Sequence, residues 1–239
     1  MPDIQKMLVA AGSVKQQYDE FILRAKVTKT EQARAAAHLC LTICELFDAT
    51  TCLIENGFSS HSPILVRSML EGMADLSILV EDATHLDQIA FESAKSTANT
   101  FERIAAYPDM QDHSVSADTV KAAAAASVLE RDLLKEKGFR TQKIEDKLMK
   151  AGLGESYASY RLLCGYAHND LTTLSVRHSG PDLRYHHEAP DSVTSGMLQI
   201  AFRLLTEAVA LLPKFSNIQA DELIAARIGM DDEWTNAAA

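Results

Sequence analysis

Two short stretches of the chain carry the residue types that chemistry would need. The first runs Tyr157-Ala158-Ser159-Tyr160-Arg161-Leu162-Leu163-Cys164-Gly165-Tyr166-Ala167-His168-Asn169-Asp170. Arg161 and His168 stand seven positions apart, which on a 3.6-residue helix leaves them about 20° from alignment and facing the same way. Tyr157 precedes Arg161 by one turn on that face, with Ser156, Tyr160 and Gly165 to its sides. An arginine and a histidine that converge on one groove suit phosphodiester chemistry. The guanidinium fork holds a phosphate bidentately and offsets charge building on phosphorus. An imidazole that titrates near neutrality can move the proton of a ribose 2′-hydroxyl.

The second stretch is Ile64 to Val80, where Leu65, Val66, Met69, Leu70, Met73, Leu76, Ile78 and Leu79 make a helix apolar nearly all round, as expected of a rod at the centre of a bundle. Arg67, Glu71 and Asp75 interrupt it at i, i+4 and i+8, one polar line on that rod. Buried charges survive only when paired and hydrogen-bonded. Two readings follow. In one, the line is a structural ion-pair network that ties helices together. In the other, Arg67 and Glu71 line a site with Tyr157, Tyr160 and Asn169 as further binding residues, around Arg161 and His168 as the catalytic pair.

The Arg161-x6-His168 spacing near a helix end, in an acidic helical chain, resembles the Arg-x4–6-His signature of the HEPN superfamily. Arg67-Ser68-Met69-Leu70-Glu71 and Tyr160-Arg161 through His168 are also similar to two signatures of an uncharacterised bacterial helical family, Arg-x3-Glu and Tyr-Arg-x-x-Ser-x-x-x-His. The HEPN resemblance implies a helical homodimer that cleaves RNA without a metal or other cofactor, in a bacterial defence or stress setting. It implies Arg161 as the phosphate-binding arginine and His168 as the acid/base, or a relative that has lost catalysis. The alternative is a non-enzymatic interaction module, in which the Arg/Glu/His network is structural and residues 171–188 meet a protein partner.

Other candidate ligands read less sharply. His168, His178, His186 and His187 fall close together with Asp170, Asp182 and Glu188, but no His-x3-His helix pair exists and adjacent histidines in an extended segment point to opposite faces. The stretch reads as a solvated hairpin, with no metal expected. His38 reads as a core or interface histidine, and His61 could contribute to the groove of Arg67. Cys40, Cys44, Cys52 and Cys164 include no Cys-x-x-Cys and read as small buried hydrophobes in a reducing compartment.

The elements that must position these residues are helical. Apolar residues recur at helical spacing over Asp3–Lys26, from Thr30 to Asn56-Gly57, from Ser62-Pro63 to Val80, and over Thr84–Ala106. Further helices are expected from Ser116 or Asp118 to Lys137, over Lys143–Ala151 and Glu155–Asn169, from Asp191 or Ser192 to Leu212, and over Ala220–Ile228. A loop is expected over Tyr107–Ser116 and a frayed end at Ala237–Ala239. Leu171–His187, with its Thr172, Thr173, Val176 and Ser179-Gly180-Pro181-Asp182, reads as an extended or β-hairpin insertion. With no repeat or linker, the expectation is all-α: one multi-helix bundle domain over 1–239 with that small insertion.

The 239 residues carry 33 acidic and 23 Lys/Arg side chains, a formal charge of −10. That balance disfavours a grip on duplex DNA or anionic lipid, since each phosphate contact needs a cation. No uninterrupted apolar run reaches the roughly 20 residues of a membrane span, and Met1-Pro2-Asp3-Ile4 lacks an apolar leader core. A cytoplasmic protein with no membrane partner is expected.

Overall fold

The structure, a computed structural model, describes residues 3–106, 117–168, 170–178 and 188–239. Its elements begin with α1 (Ile4–Arg24), α2 (Glu31–Glu55), α3 (Ser62–Glu81), α4 (His85–Ala106), α5 (Ala117–Glu136) and α6 (Ile144–Lys150). They continue with α7 (Tyr157–Ala167), α8 (Leu171–His178), α9 (Asp191–Ala210), α10 (Leu212–Phe215) and α11 (Ala220–Ala238). Single 3₁₀ turns at Ser59–His61 and Gly154–Ser156 lead into α3 and α7. The fold is all-α. Among the described residues the nearest approach to a sheet is one isolated bridge between Val27 and Ser216.

Local chemistry explains where the helices start and stop. Asp3 caps α1 by accepting from the Lys6 N–H at 3.2 Å, and Thr30 caps α2 by accepting from the Ala33 N–H at 3.1 Å. Past the end of α2, Gly57 sits at φ +78°, and Gly138 at φ +102° follows α5. Both are left-handed positions that a side chain would strain. The tyrosine-rich stretch after Gly152 then enters α7 through the second 3₁₀ turn.

The contacts gather into two compact units, residues 1–81 with 147–239, and residues 82–146. In the first, α3 packs on α2, α7 and α9, and Val66, Met69, Leu70, Leu76 and Leu79 are buried almost completely. The expected central rod is therefore α3. α9 lies against α1, α2 and α3, and its Phe202 stacks on Trp234 of α11 with ring centres 4.0 Å apart and planes 5° from parallel. Glu31–Glu55 and Asp191–Phe215 have the length and hydropathy of membrane spans, yet both contribute buried residues to this unit's core. In the second unit α4 and α5 pack on each other over Phe91, Ala94, Ala98, Val120 and Leu134.

Two expectations are corrected. The extended insertion expected over 171–187 is helical where described, because Asp170 caps α8. Its carboxylate accepts from the Thr173 N–H at 3.0 Å and its carbonyl from the Leu174 N–H at 2.9 Å. Thr173 and Arg177, one turn apart, then supply the buried side. Residues 179–187 lie outside the described residues, as does the expected loop at 107–116. The chain end expected to fray at Ala237–Ala239 is helical through Ala238, because α11 extends ten residues past Ile228.

Candidate functional site

α3 and α7 run antiparallel across the site, and the polar line of α3 meets the tyrosine-rich face of α7. The Arg67 guanidinium donates from Nε to Glu71 Oε1 at 3.0 Å, and its Nη2 is also 3.0 Å from the same oxygen. Tyr160 donates its hydroxyl to Glu71 Oε1 at 2.8 Å and accepts from Arg67 Nη2 at 3.3 Å. The guanidinium carbon lies 5.4 Å from the centre of the Tyr160 ring, within cation–π range. Three side chains thus satisfy one another across two helices. One turn further on, Asp75 takes Lys147 of α6 at 2.8 Å, so all three members of the polar line are paired.

This closure sets the electrostatics. Burial, with the Glu71 carboxylate at its hydroxyl, pushes the Tyr160 phenol up to about 12, so it stays protonated. Burial alone would lower Arg67, but the Tyr160 hydroxyl and the Glu71 charge outweigh it and hold the guanidinium above its ordinary value.

His168 sits at the solvent edge of this cluster. It is the C-cap of α7, and its backbone N–H still bonds the Cys164 carbonyl at 3.0 Å, so its Cα keeps the helical register. The imidazole is exposed, with Nε2 3.5 Å from Arg67 Nη1. A guanidinium can only donate, so this contact favours an Nε2 that carries a lone pair rather than a proton. Arg161 is also exposed, and among the described residues it makes no hydrogen bond or ion pair. Leu162 beside it is 73 % exposed.

The structure therefore joins Arg67, Glu71, Tyr160 and His168 in one contiguous set. It leaves Arg161 free on the exposed side of α7, and it leaves Tyr157 half-buried at the first turn without a hydrogen bond among the described residues. Asn169 lies outside the described residues. Arg177 is the residue that sequence reasoning missed. It is 9 % exposed at the end of α8, with Nη2 2.6 Å from His61 Nε2. The available signal was Asp170 as a helix cap: a helix from Leu171 puts Thr173 and Arg177 on one face. Gly165 of α7 makes room for that face, since a Cβ there would stand 3.0 Å from Thr173 Oγ1.

Among the described residues no three His, Cys, Asp or Glu side chains converge to hold a metal; His186, His187 and Asp182 lie outside them. All four cysteines are free thiols. Cys40 and Cys44 are buried as expected, and the Cys40 hydrogen bond together with burial pushes the Cys44 thiol well up, which leaves it inert. Cys164 and Cys52 depart from the expected burial: Cys164 is half-buried, and Cys52 faces solvent on α2, with Asn56 Nδ2 3.7 Å from its sulfur.

A family of unknown function, DUF5677, matches residues 33–185, more than half of the chain. The chain belongs to DUF5677. The matched stretch of DUF5677 runs from α2 through α8 and so contains Arg67, Glu71, Tyr160, Arg161 and His168. No curated protein and no solved structure matches the chain.

Proposed function

We propose that this chain is a HEPN-like, metal-independent endoribonuclease with His168 as the acid/base and Arg161 as the phosphate-binding arginine. The observation that carries the reading is an exposed imidazole held 3.5 Å from the Arg67 guanidinium at the end of α7, two turns beyond an exposed arginine with no partner among the described residues. With Nε2 unprotonated, His168 takes the proton of a ribose 2′-hydroxyl. The 2′ oxygen attacks the adjacent phosphorus and the P–O5′ bond breaks, leaving a 2′,3′-cyclic phosphate and a 5′-hydroxyl. The proton that His168 accepts is the one the departing oxygen needs. Arg161 offsets the charge on the phosphorane oxygens, and Arg67 stands 3.5 Å from the imidazole. Glu71 and Tyr160 hold Arg67. A strand held by these local cations does not require a basic chain, which reconciles an RNA substrate with the charge of −10.

A second reading, a non-enzymatic interaction module, is favoured by one observation: Arg67 is already committed to Glu71 and Tyr160. One experiment separates the two. Wild type, His168→Ala and Arg161→Ala are assayed on a mixed RNA pool in EDTA, and their unfolding midpoints are measured. The ribonuclease reading expects cleavage slowed by about 10²–10⁴-fold in His168→Ala, with stabilities within about 0.5 kcal/mol of wild type because both side chains face water. Wild type that cuts no RNA, or a His168→Ala variant that cuts as fast, overturns it and leaves the interaction module.

A further inference from the structure

We propose that Arg177, held in place by His61, is an oxyanion site that takes a phosphoryl group and lies outside the Arg67–Glu71–Tyr160–His168 set. Among the described residues, Arg177 is a buried cation without a counter-charge. Its one hydrogen bond among the described residues is to His61 Nε2 at 2.6 Å, and its Nε–H is buried with no acceptor. The acidic residues that flank it in the described sequence do not pair with it: the Asp170 carboxylate caps α8, and Glu188 forms no ion pair among the described residues. An uncompensated buried guanidinium is strongly destabilising, so a fold that keeps one reserves it for a ligand that supplies the charge.

The surroundings fit an anion. Ser59, Ser60 and Ser62 are buried in the turn that leads into α3. Ser59 Oγ accepts from the Ala189 N–H at 2.8 Å, Ser62 Oγ donates to the Ser59 carbonyl at 2.7 Å, and Ser60 Oγ lies 3.2 Å from His61 Nδ1. The serines lock the turn and the imidazole, while His61 itself reaches solvent. A planar fork with a free N–H next to an exposed imidazole matches a tetrahedral oxyanion better than a planar neutral ligand, because arginine binds phosphate bidentately. Free phosphate and a nucleic-acid strand both carry that group, and the recognition chemistry is the same for both.

Thermal unfolding of the full chain tests this with inorganic phosphate against chloride at equal ionic strength. Phosphate at a few times its dissociation constant should raise the wild-type midpoint by about 2–4 °C. Phosphate also stabilises proteins non-specifically, so the decisive quantity is the difference from two variants. Arg177→Met removes the charge and should lose the specific part of the shift. His61→Glu supplies the missing carboxylate from within; it should raise the midpoint in chloride and remove the phosphate response, which keeps the test decisive if Arg177→Met folds poorly. A 2′-O-methyl oligonucleotide, which cannot be cleaved, gives the source. A shift by the oligonucleotide larger than that by phosphate assigns the site to a strand, and the reverse assigns it to free phosphate. Equal phosphate shifts in wild type and His61→Glu, or no shift in wild type, overturn the proposal. None of these readouts requires RNA cleavage, so failure of the ribonuclease reading leaves them standing.

Discussion

Tyr160 is the residue on which the α3–α7 cluster turns, because one hydroxyl both gives to Glu71 and takes from Arg67. Tyr160→Phe keeps the ring and the Arg67–Glu71 pair but removes the hydroxyl that bonds both, which should cost about 1–3 kcal/mol in urea unfolding. The pH dependence of that cost has a definite sign. The folded phenol titrates near 12 and the unfolded one near 10, so the folded state binds the proton more tightly. Its contribution is full below pH 10 and is lost as pH rises towards about 12. Wild type should therefore lose more stability than Tyr160→Phe across that window, and parallel losses would show that the hydroxyl is not held as described. The sequence made Arg67, Glu71 and Tyr160 visible one at a time, because helical spacing assigns each residue to a face. It could not show that the faces meet, since Arg67 and His168 are 101 positions apart and packing decides which helices touch. Arg177 stayed hidden for the opposite reason: its own helix was not recognised.

At the scale of elements, most helices were legible because their ends carry side-chain signals. Thr30 announces α2, Asn56-Gly57 closes it, and Gly138 closes α5. α8 is not legible in the sequence because Thr172, Thr173 and Val176 are β-branched and Leu171 to Val176 lacks a helical stripe, so local preference favours a strand. One cap and one buried face outweigh that preference. Asp170→Ala should then cost about 1 kcal/mol, and hydrogen exchange should quicken in the first turn of α8 before it does in α7. If α8 amides are indifferent to the substitution, the helix is held by its buried Thr173 and Arg177 alone. Because Arg177 closes the same helix, the phosphate response expected above should weaken in Asp170→Ala as well.

For the whole molecule, the division into two compact units implies unequal stability. Residues 1–81 with 147–239 surround α3 on several sides, whereas residues 82–146 rest on one helix pair whose buried apolar residues, among those described, are Phe91, Ala94, Ala98, Val120 and Leu134, two of them alanines. A two-helix interface of that kind buries little apolar surface, and local opening free energy follows buried contact. Native-state hydrogen exchange should find the slowest amides in α3 and α9 and markedly faster exchange in α5. Equal protection in α5 and α3 would mean that the chain opens as one unit. The all-α class was legible from periodicity alone, but this division was not, because no run of glycine, proline or serine marks either junction and Lys147 of α6 already belongs to the larger unit.

The stack of Phe202 on Trp234 gives the chain a built-in optical gauge. Trp234 is the only tryptophan, it is 8 % exposed, and its ring lies against α9. Its emission therefore reports on the seam between α9 and α11 and on little else. Melting followed by that fluorescence registers loss of the larger unit, while circular dichroism weighs every helix. If the α4–α5 pair melts first, the ellipticity falls before the emission moves, and the gap between the two curves displays the smaller unit with no label added.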